Sequence, residues 1–188
     1  MTESVPELET ARVFAIPRIL LACALLTGAG CAGPTPVSPV PVSTTPSASF
    51  GGTDRSWIEI NIAMDEELLP LLDLVGAGSG LADVVAQVRE FTEAELTELR
   101  RLHAEAGLPR ENPHKGMPMP GMVMPSQVAA AAALRGKEFD TVLREHLRAH
   151  LEQSRKLAES ERSAGQEPRT IALAARISGT RQSALNLL

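Results

Sequence analysis

The sequence predicts an all-α protein, an antiparallel four-helix bundle behind a long N-terminal extension. Three observations predict it. From Ser56 onward the apolar residues recur at helical spacing, with no convincing strand alternation. Glycines and prolines cut that pattern into four substantial helices within about 130 residues, enough chain for one core. The connections are short or moderate, which makes consecutive helices antiparallel neighbours.

The extension has two parts. Residues 1–30 form a signal segment whose apolar run, Ile16 to Leu26, is too short for a bilayer, which needs about 20 apolar residues. Thr27-Gly28-Ala29-Gly30-Cys31 places small residues before a cysteine and resembles the bacterial lipobox, which implies diacylglyceryl attachment at Cys31. Gly28 departs from that motif's usual aliphatic, and Glu3, Glu7 and Glu9 dilute Arg12 and Arg18, as a true start nearer Val13 would explain. The alternatives are plain secretion, with cleavage at Ala29 or Ala32, and an uncleaved anchor. Residues 31–55 contain the lipid-attachment cysteine and a Pro/Ser/Thr-rich tether with five prolines. Such chain stays extended and semi-rigid, at about 3.1 Å per residue.

The expected location is therefore the extracytoplasmic face of the cell membrane, with the bilayer as partner through the lipid anchor. Each buried CH₂ contributes roughly 0.8 kcal/mol to such anchoring. Cys23 and Cys31 are the only cysteines, so the folded part has neither a disulfide nor a thiol nucleophile. Removing residues 1–30 leaves 16 basic and 20 acidic residues, a formal charge of −4. With one Trp and no Tyr, that surface is a poor nucleic-acid binder.

Residues 56–188 are the bundle domain. Helix one runs from Trp57 to Val75, capped by Thr53 or Asp54, with Ile58, Ile62, Leu68, Leu69, Leu72 and Val75 on its stripe. Pro70 should bend it. Gly76 to Gly80 breaks it, and Ser79 is the next expected cap. Helix two covers Leu81 to Ala106 and stops at Gly107. Residues 108–124 are a loop, and Pro125 opens a short alanine-rich helix ending near Gly136. Helix three spans Phe139 to Ala164 with Gly165 as its stop. Helix four starts at Pro168, a favoured first-turn proline, and continues to the C-terminus.

The halves look like copies of one helical hairpin. Val88, Thr92, Glu95, Leu96 and Leu99 align with Ile177, Arg181, Ala184, Leu185 and Leu188. Asn61 to Asp65 align with Leu147 to Leu151. Gly121-Met122-Val123 with Pro125 and Gln127, Gly136-Lys137-Glu138-Phe139-Asp140, and Glu95-Leu96 together resemble the bacterial domain-of-unknown-function 305 family. The resemblance covers residues 56–188 and implies a ferritin-like bundle of two hairpin repeats. Relatives carry a His-His pair in helix one and another in helix three, where this chain has Met64-Asp65 and His150-Leu151. The second repeat's acidic residue is replaced by Ala184 and its glutamine by Arg181. The resemblance also implies an association with copper or silver handling.

His146 and His150 stand at i and i+4, a spacing that can hold a metal, but two imidazoles are an incomplete site. His150 falls on the apolar stripe and is expected to face inward, hydrogen-bonded to Asp65 or Glu95. Asp65 shares its helix side with Ile58, Ile62, Leu69 and Leu72, so it needs a partner. His114, Met117, Met119, Met122 and Met124 form the best soft-ligand cluster, suited to Cu(I) or Ag(I). The alternative is that these methionines simply fill an irregular gap.

No catalytic cysteine, nucleophile elbow, phosphate-binding loop or zinc-protease motif is present, and no E-x-x-H di-iron signature falls on a predicted helix. The expectation is a non-catalytic binding or interaction module with an envelope protein partner. The alternative is a copper or silver buffer built on the methionine loop with His114, with His150 and Asp65 as further candidate ligands.

Overall fold

A computed structural model of the chain describes residues 49–188. The signal segment, Cys31 and most of the tether lie outside the described residues. Five helices follow in order: α1 (Gly52–Leu72), α2 (Ala82–Glu105), α3 (Pro125–Ala132), α4 (Gly136–Ala164) and α5 (Pro168–Leu185). No strand occurs among the described residues, so the fold is all-α.

Helix ends differ from the sequence reading where side chains find better partners. α1 starts before Trp57 because Asp54 is its third helical residue, accepting the Gly51 N–H at 2.6 Å, rather than its cap. Pro70 falls in the last turn, and α1 stops at Leu72 instead of Val75. Ser79 is not the cap of α2. Its hydroxyl accepts the Leu81 N–H at 3.1 Å and donates to Asp140 of α4 at 2.7 Å, tying the first turn to the second hairpin. Gly107 does stop α2: its φ of +63° lets the Leu108 N–H reach the His103 carbonyl at 3.2 Å. α3 ends at Ala132, short of Gly136, which already opens α4.

Each long helix packs on two others, in the ring α1–α2–α5–α4. Neighbours run antiparallel throughout. Arg100 pairs with Glu66 and Arg89 with Asp73 across α1 and α2. Arg176 pairs with Glu98 and Arg169 with Glu105 across α5 and α2. Exposed pairs of this kind are worth little energy, but they report the register.

α2 therefore ends beside the start of α5, whereas α4 starts beside the α1–α2 turn. Residues 106–135 must travel the length of the bundle between them. Asn112 fastens this crossover by donating to the Glu59 carbonyl at 2.8 Å, and α3 packs on α1 and α4. Gly121 lies flat on α4 at a φ of +75°, where a Cβ would stand 2.5 Å from Gln153 Cβ and 2.7 Å from the Ala149 carbonyl.

The interior is layered. One apolar layer holds Trp57, Ile58, Ile62, Leu96, Leu99, Leu102, Ala158, Leu173 and Ile177. The other holds Leu68, Leu72, Val85, Val88, Leu143, Leu147 and Ala184. Buried polar residues lie between the two layers, and a second polar set closes the end where Asp54 sits.

Gly121→Ala is expected to cost about 2–4 kcal/mol, combining a left-handed backbone penalty with overpacking against α4. Gly107→Ala, whose new methyl meets open space, should cost only about 1 kcal/mol. Urea midpoints at unchanged slope measure both.

Candidate functional site: a buried ionic seam

Each of the four long helices sends a polar side chain into the middle layer. Asp65 comes from α1, Thr92 and Glu95 from α2, His150 and Ser154 from α4, and Arg181 from α5; all are buried. Their placement follows from helix periodicity. Asp65 lies between Ile62 and Leu68 on its stripe, His150 between Leu147 and Ser154, and Arg181 one turn after Ile177.

Arg181 is the centre of the layer. Its Nη2 lies 2.7 Å from Glu95 Oε2 and 3.4 Å from Asp65 Oδ1. Its Nε donates to Ser154 Oγ at 3.1 Å, and the guanidinium sits 4.5 Å from the centroid of the Phe91 ring, whose face favours a cation. Thr180 donates its hydroxyl to Glu95 Oε1 at 3.1 Å. The contact to Glu95 Oε2 is an ion contact without an aligned N–H. Two carboxylates thus face one guanidinium. Burial pushes the Glu95 carboxyl up to about 7, against the pull of Arg181 and with the charge of Asp65 adding to it.

His150 is fully buried and its Nε2 lies 3.6 Å from Asp65 Oδ1. That is contact, just beyond a hydrogen bond, so the expected bond is not made, and neither ring nitrogen has a partner. His146 is half-buried at the stripe's edge. Sequence reasoning registered Arg181 only as a departure from the family pattern. Its place on the apolar stripe of α5 was the signal that it points inward.

The methionine loop divides. Met122 is buried with Met64 of α1, and Met119 and Met124 pack against them. Met117 is 47% exposed and stays outside. His114 shares a turn with Met117, and its Nδ1 is buried without a partner. Met64, which the sequence reading treated only as a replaced histidine, completes a group of four thioethers.

These two sets of donors differ in what they can hold. The seam offers oxygen and imidazole donors, yet the Arg181 guanidinium already fills the space between both carboxylates, so the seam does not fit a cation. Thioethers suit soft Cu(I) or Ag(I), so Met64, Met119, Met122 and Met124 fit that chemistry. Among the described residues no three His, Cys, Asp or Glu side chains are grouped to hold a metal ion. A surface recess of about 790 Å³ lies between α1, α2 and the following loop, with Ile62 and Leu108 as apolar lining and charges of both signs around them, Arg100 and Lys115 being paired with Glu66.

An all-α bundle with two hairpins and an ionic seam defines the class of protein. The chain belongs to the family described as Domain of unknown function (DUF305), whose model matches residues 77–188. A crystal structure of a DUF305 fragment from Deinococcus radiodurans is similar, with a TM-score of 0.65 at 12% identity, over 74% of this chain and 94% of that one. That likeness concerns the fold. No curated protein matches the chain.

Removing the guanidinium leaves Asp65 and Glu95 buried and uncompensated, so Arg181→Met should cost about 3–5 kcal/mol. Adding Asp65→Asn and Glu95→Gln should recover most of it in thermal denaturation. Because the Glu95 value is raised on folding, its contribution is complete below its unfolded value of 4.5 and is lost as pH rises through about 7. Glu95→Gln should flatten that part of the stability–pH curve.

Proposed function

We propose that the protein is a membrane-anchored extracytoplasmic lipoprotein whose bundle is a non-catalytic binding or interaction module. The observation that supports this reading most is the filled seam. Arg181 closes the space between the helices where a bundle would hold an ion or substrate, which leaves the outer surface for recognition. The recess offers an apolar lining within a rim of both charges, where Glu66 pairs with Arg100 and Lys115 and Arg110 and Glu111 add one charge of each sign, suited to a polar segment of an envelope protein. Cys31 supplies the lipid attachment and the Pro-rich tether holds the domain clear of the bilayer. No helix among the described residues is long and apolar enough to cross a membrane.

A second reading is favoured by one specific observation. Met64, Met119, Met122 and Met124 pack in one apolar cluster beside the crossover, a set of thioethers suited to buffering Cu(I) or Ag(I). Met117, included from the sequence pattern, is 47% exposed and lies outside that group.

Two measurements divide these readings. Cys31→Ala should move the protein from the membrane fraction to the soluble one; full retention of the variant at the membrane rules out the lipid anchor. Anaerobic Cu(I) titration should give neither heat nor thermal stabilisation if the bundle is purely an interaction module. Micromolar or tighter binding that disappears when Met64, Met119, Met122 and Met124 are replaced by Leu establishes the buffer instead.

A further inference from the structure

The end of the bundle where the chain enters it is closed by a second polar set. Asp54 in the first turn of α1, Glu161 in the last turn of α4, Glu167 at the cap of α5 and Thr170 in its first turn are all fully buried. Glu167 is well provided for. Its Oε2 accepts the N–H groups of Arg169 and Thr170, each at 2.8 Å, and its Oε1 accepts Arg169 Nε at 2.6 Å. Asp54 is equally satisfied. One oxygen accepts the Gly51 N–H at 2.6 Å, and the other accepts the Gln166 and Glu167 N–H groups at 3.0 Å and the Thr170 hydroxyl at 2.8 Å.

Glu161 is different. No N–H or O–H among the described residues donates to either of its oxygens. It lies at the C-terminal end of α4, where the helix dipole opposes negative charge. Gly165 presses on it so closely that a Cβ there would stand 2.6 Å from the Glu161 carbonyl oxygen. A bare carboxylate buried beside another is costly. A proton on Glu161 removes the cost, because its O–H then donates to Asp54. A metal ion would not serve, since the donors on Asp54 direct their hydrogens at the oxygens a cation would need.

We propose that the Asp54–Glu161 pair is a proton-operated latch, which holds the first turn of α1 against the α4–α5 turn and releases it when Glu161 ionises. The charges that face Glu161 are Asp54 from α1 and Glu167 from the start of α5, both negative. Thr170 of α5 contributes only a hydroxyl. Arg169 is turned to Glu167 and to Glu105 of α2, which Arg101 also holds, and Arg162 on α4 is exposed. Burial pushes Glu161 up to about 7, with Asp54 and Glu167 adding to it and the Thr170 hydroxyl pulling the other way. Burial works against ionised Asp54 too, but the hydrogen bonds from Glu161, Glu167, Thr170 and Gln166 outweigh it and hold Asp54 at about 2.

The latch therefore stabilises fully below the unfolded value of Glu161, 4.5, and weakens as pH rises through about 7. The residues it frees are the last of segment 31–55 and the first of α1, so opening loosens the point where the chain enters the bundle. It depends neither on the lipid anchor nor on metal binding.

Amide hydrogen exchange of the full chain, wild type and Glu161→Gln, tests it at about pH 5.5 and about pH 8, with rates divided by those of an unstructured peptide. The Gln side chain donates to Asp54 at every pH and cannot ionise. Protection at Gln166 and Glu167 should fall at least roughly tenfold in the wild type and hold in the variant. Flat wild-type protection overturns the latch, and so does an equal fall in the variant. Should the variant not fold, carbon-13 titration of the wild-type Glu161 carboxyl decides. A midpoint near 7 supports the latch, and one in the ordinary carboxylate range overturns it.

Discussion

The guanidinium of Arg181 sets the terms for the rest of the domain. It is the one Arg or Lys buried among the described residues, and it meets side chains from all three other long helices or lies one contact from them. A buried ion pair gains little net stability over an apolar replacement, because both charges lose their hydration. Its effect is on register. Sliding α5 by one turn, about 5.4 Å, would carry Arg181 into an apolar layer and strand Asp65 and Glu95 without a cation. Apolar layers alone, built largely of Leu, Ile and Val, would tolerate such a slip far better.

Legibility in the sequence followed the same division between apolar and ionic layers. Helix identities, Gly107 as a stop and Pro125 and Pro168 as starts were readable because each rests on local backbone chemistry. Asp65 and His150 were readable as inward-facing, since apolar neighbours at helical spacing announce it. What could not be read was where the partners come from. Arg181 stands 116 residues from Asp65, and Ser79 lies 61 from Asp140. Asp54 looked like an ordinary cap because its true partners, Gln166 to Thr170, are brought to it only by the closed bundle. Met64 was missed for the same reason: its neighbours Met119, Met122 and Met124 arrive with the crossover.

The crossover also explains why the loop is rich in both Met and Pro. To run the length of the bundle over residues 106–135 it has to lie against α1 and α4 without a regular partner of its own. Pro118, Pro120 and Pro125 reduce the conformations it must give up, and methionines adapt to the uneven groove beneath. Gly121 is needed at the point of nearest approach, where any side chain would strike α4. Packing accounts for this composition without metal, so the methionine cluster is a chemical opportunity that the fold creates while meeting a structural need.

Both polar layers carry one more negative charge than their fixed donors can hold, and both settle it in the same way. In the seam, Asp65 and Glu95 face one guanidinium. At the chain's entry, Arg169 and the α5 N-terminus satisfy Glu167, four donors satisfy Asp54, and Glu161 is left over. A cation for each would have to come from solution or from another Lys or Arg. Lys or Arg side chains are bulky, and the space beside Glu161 is closed by Gly165. A proton occupies no such space. It neutralises the surplus carboxyl and, at Glu161, supplies the missing donor as well. Hence Glu95 and Glu161 are both pushed up to about 7 by burial, although one sits beside an arginine and the other beside an aspartate. At both carboxyls burial favours the protonated form.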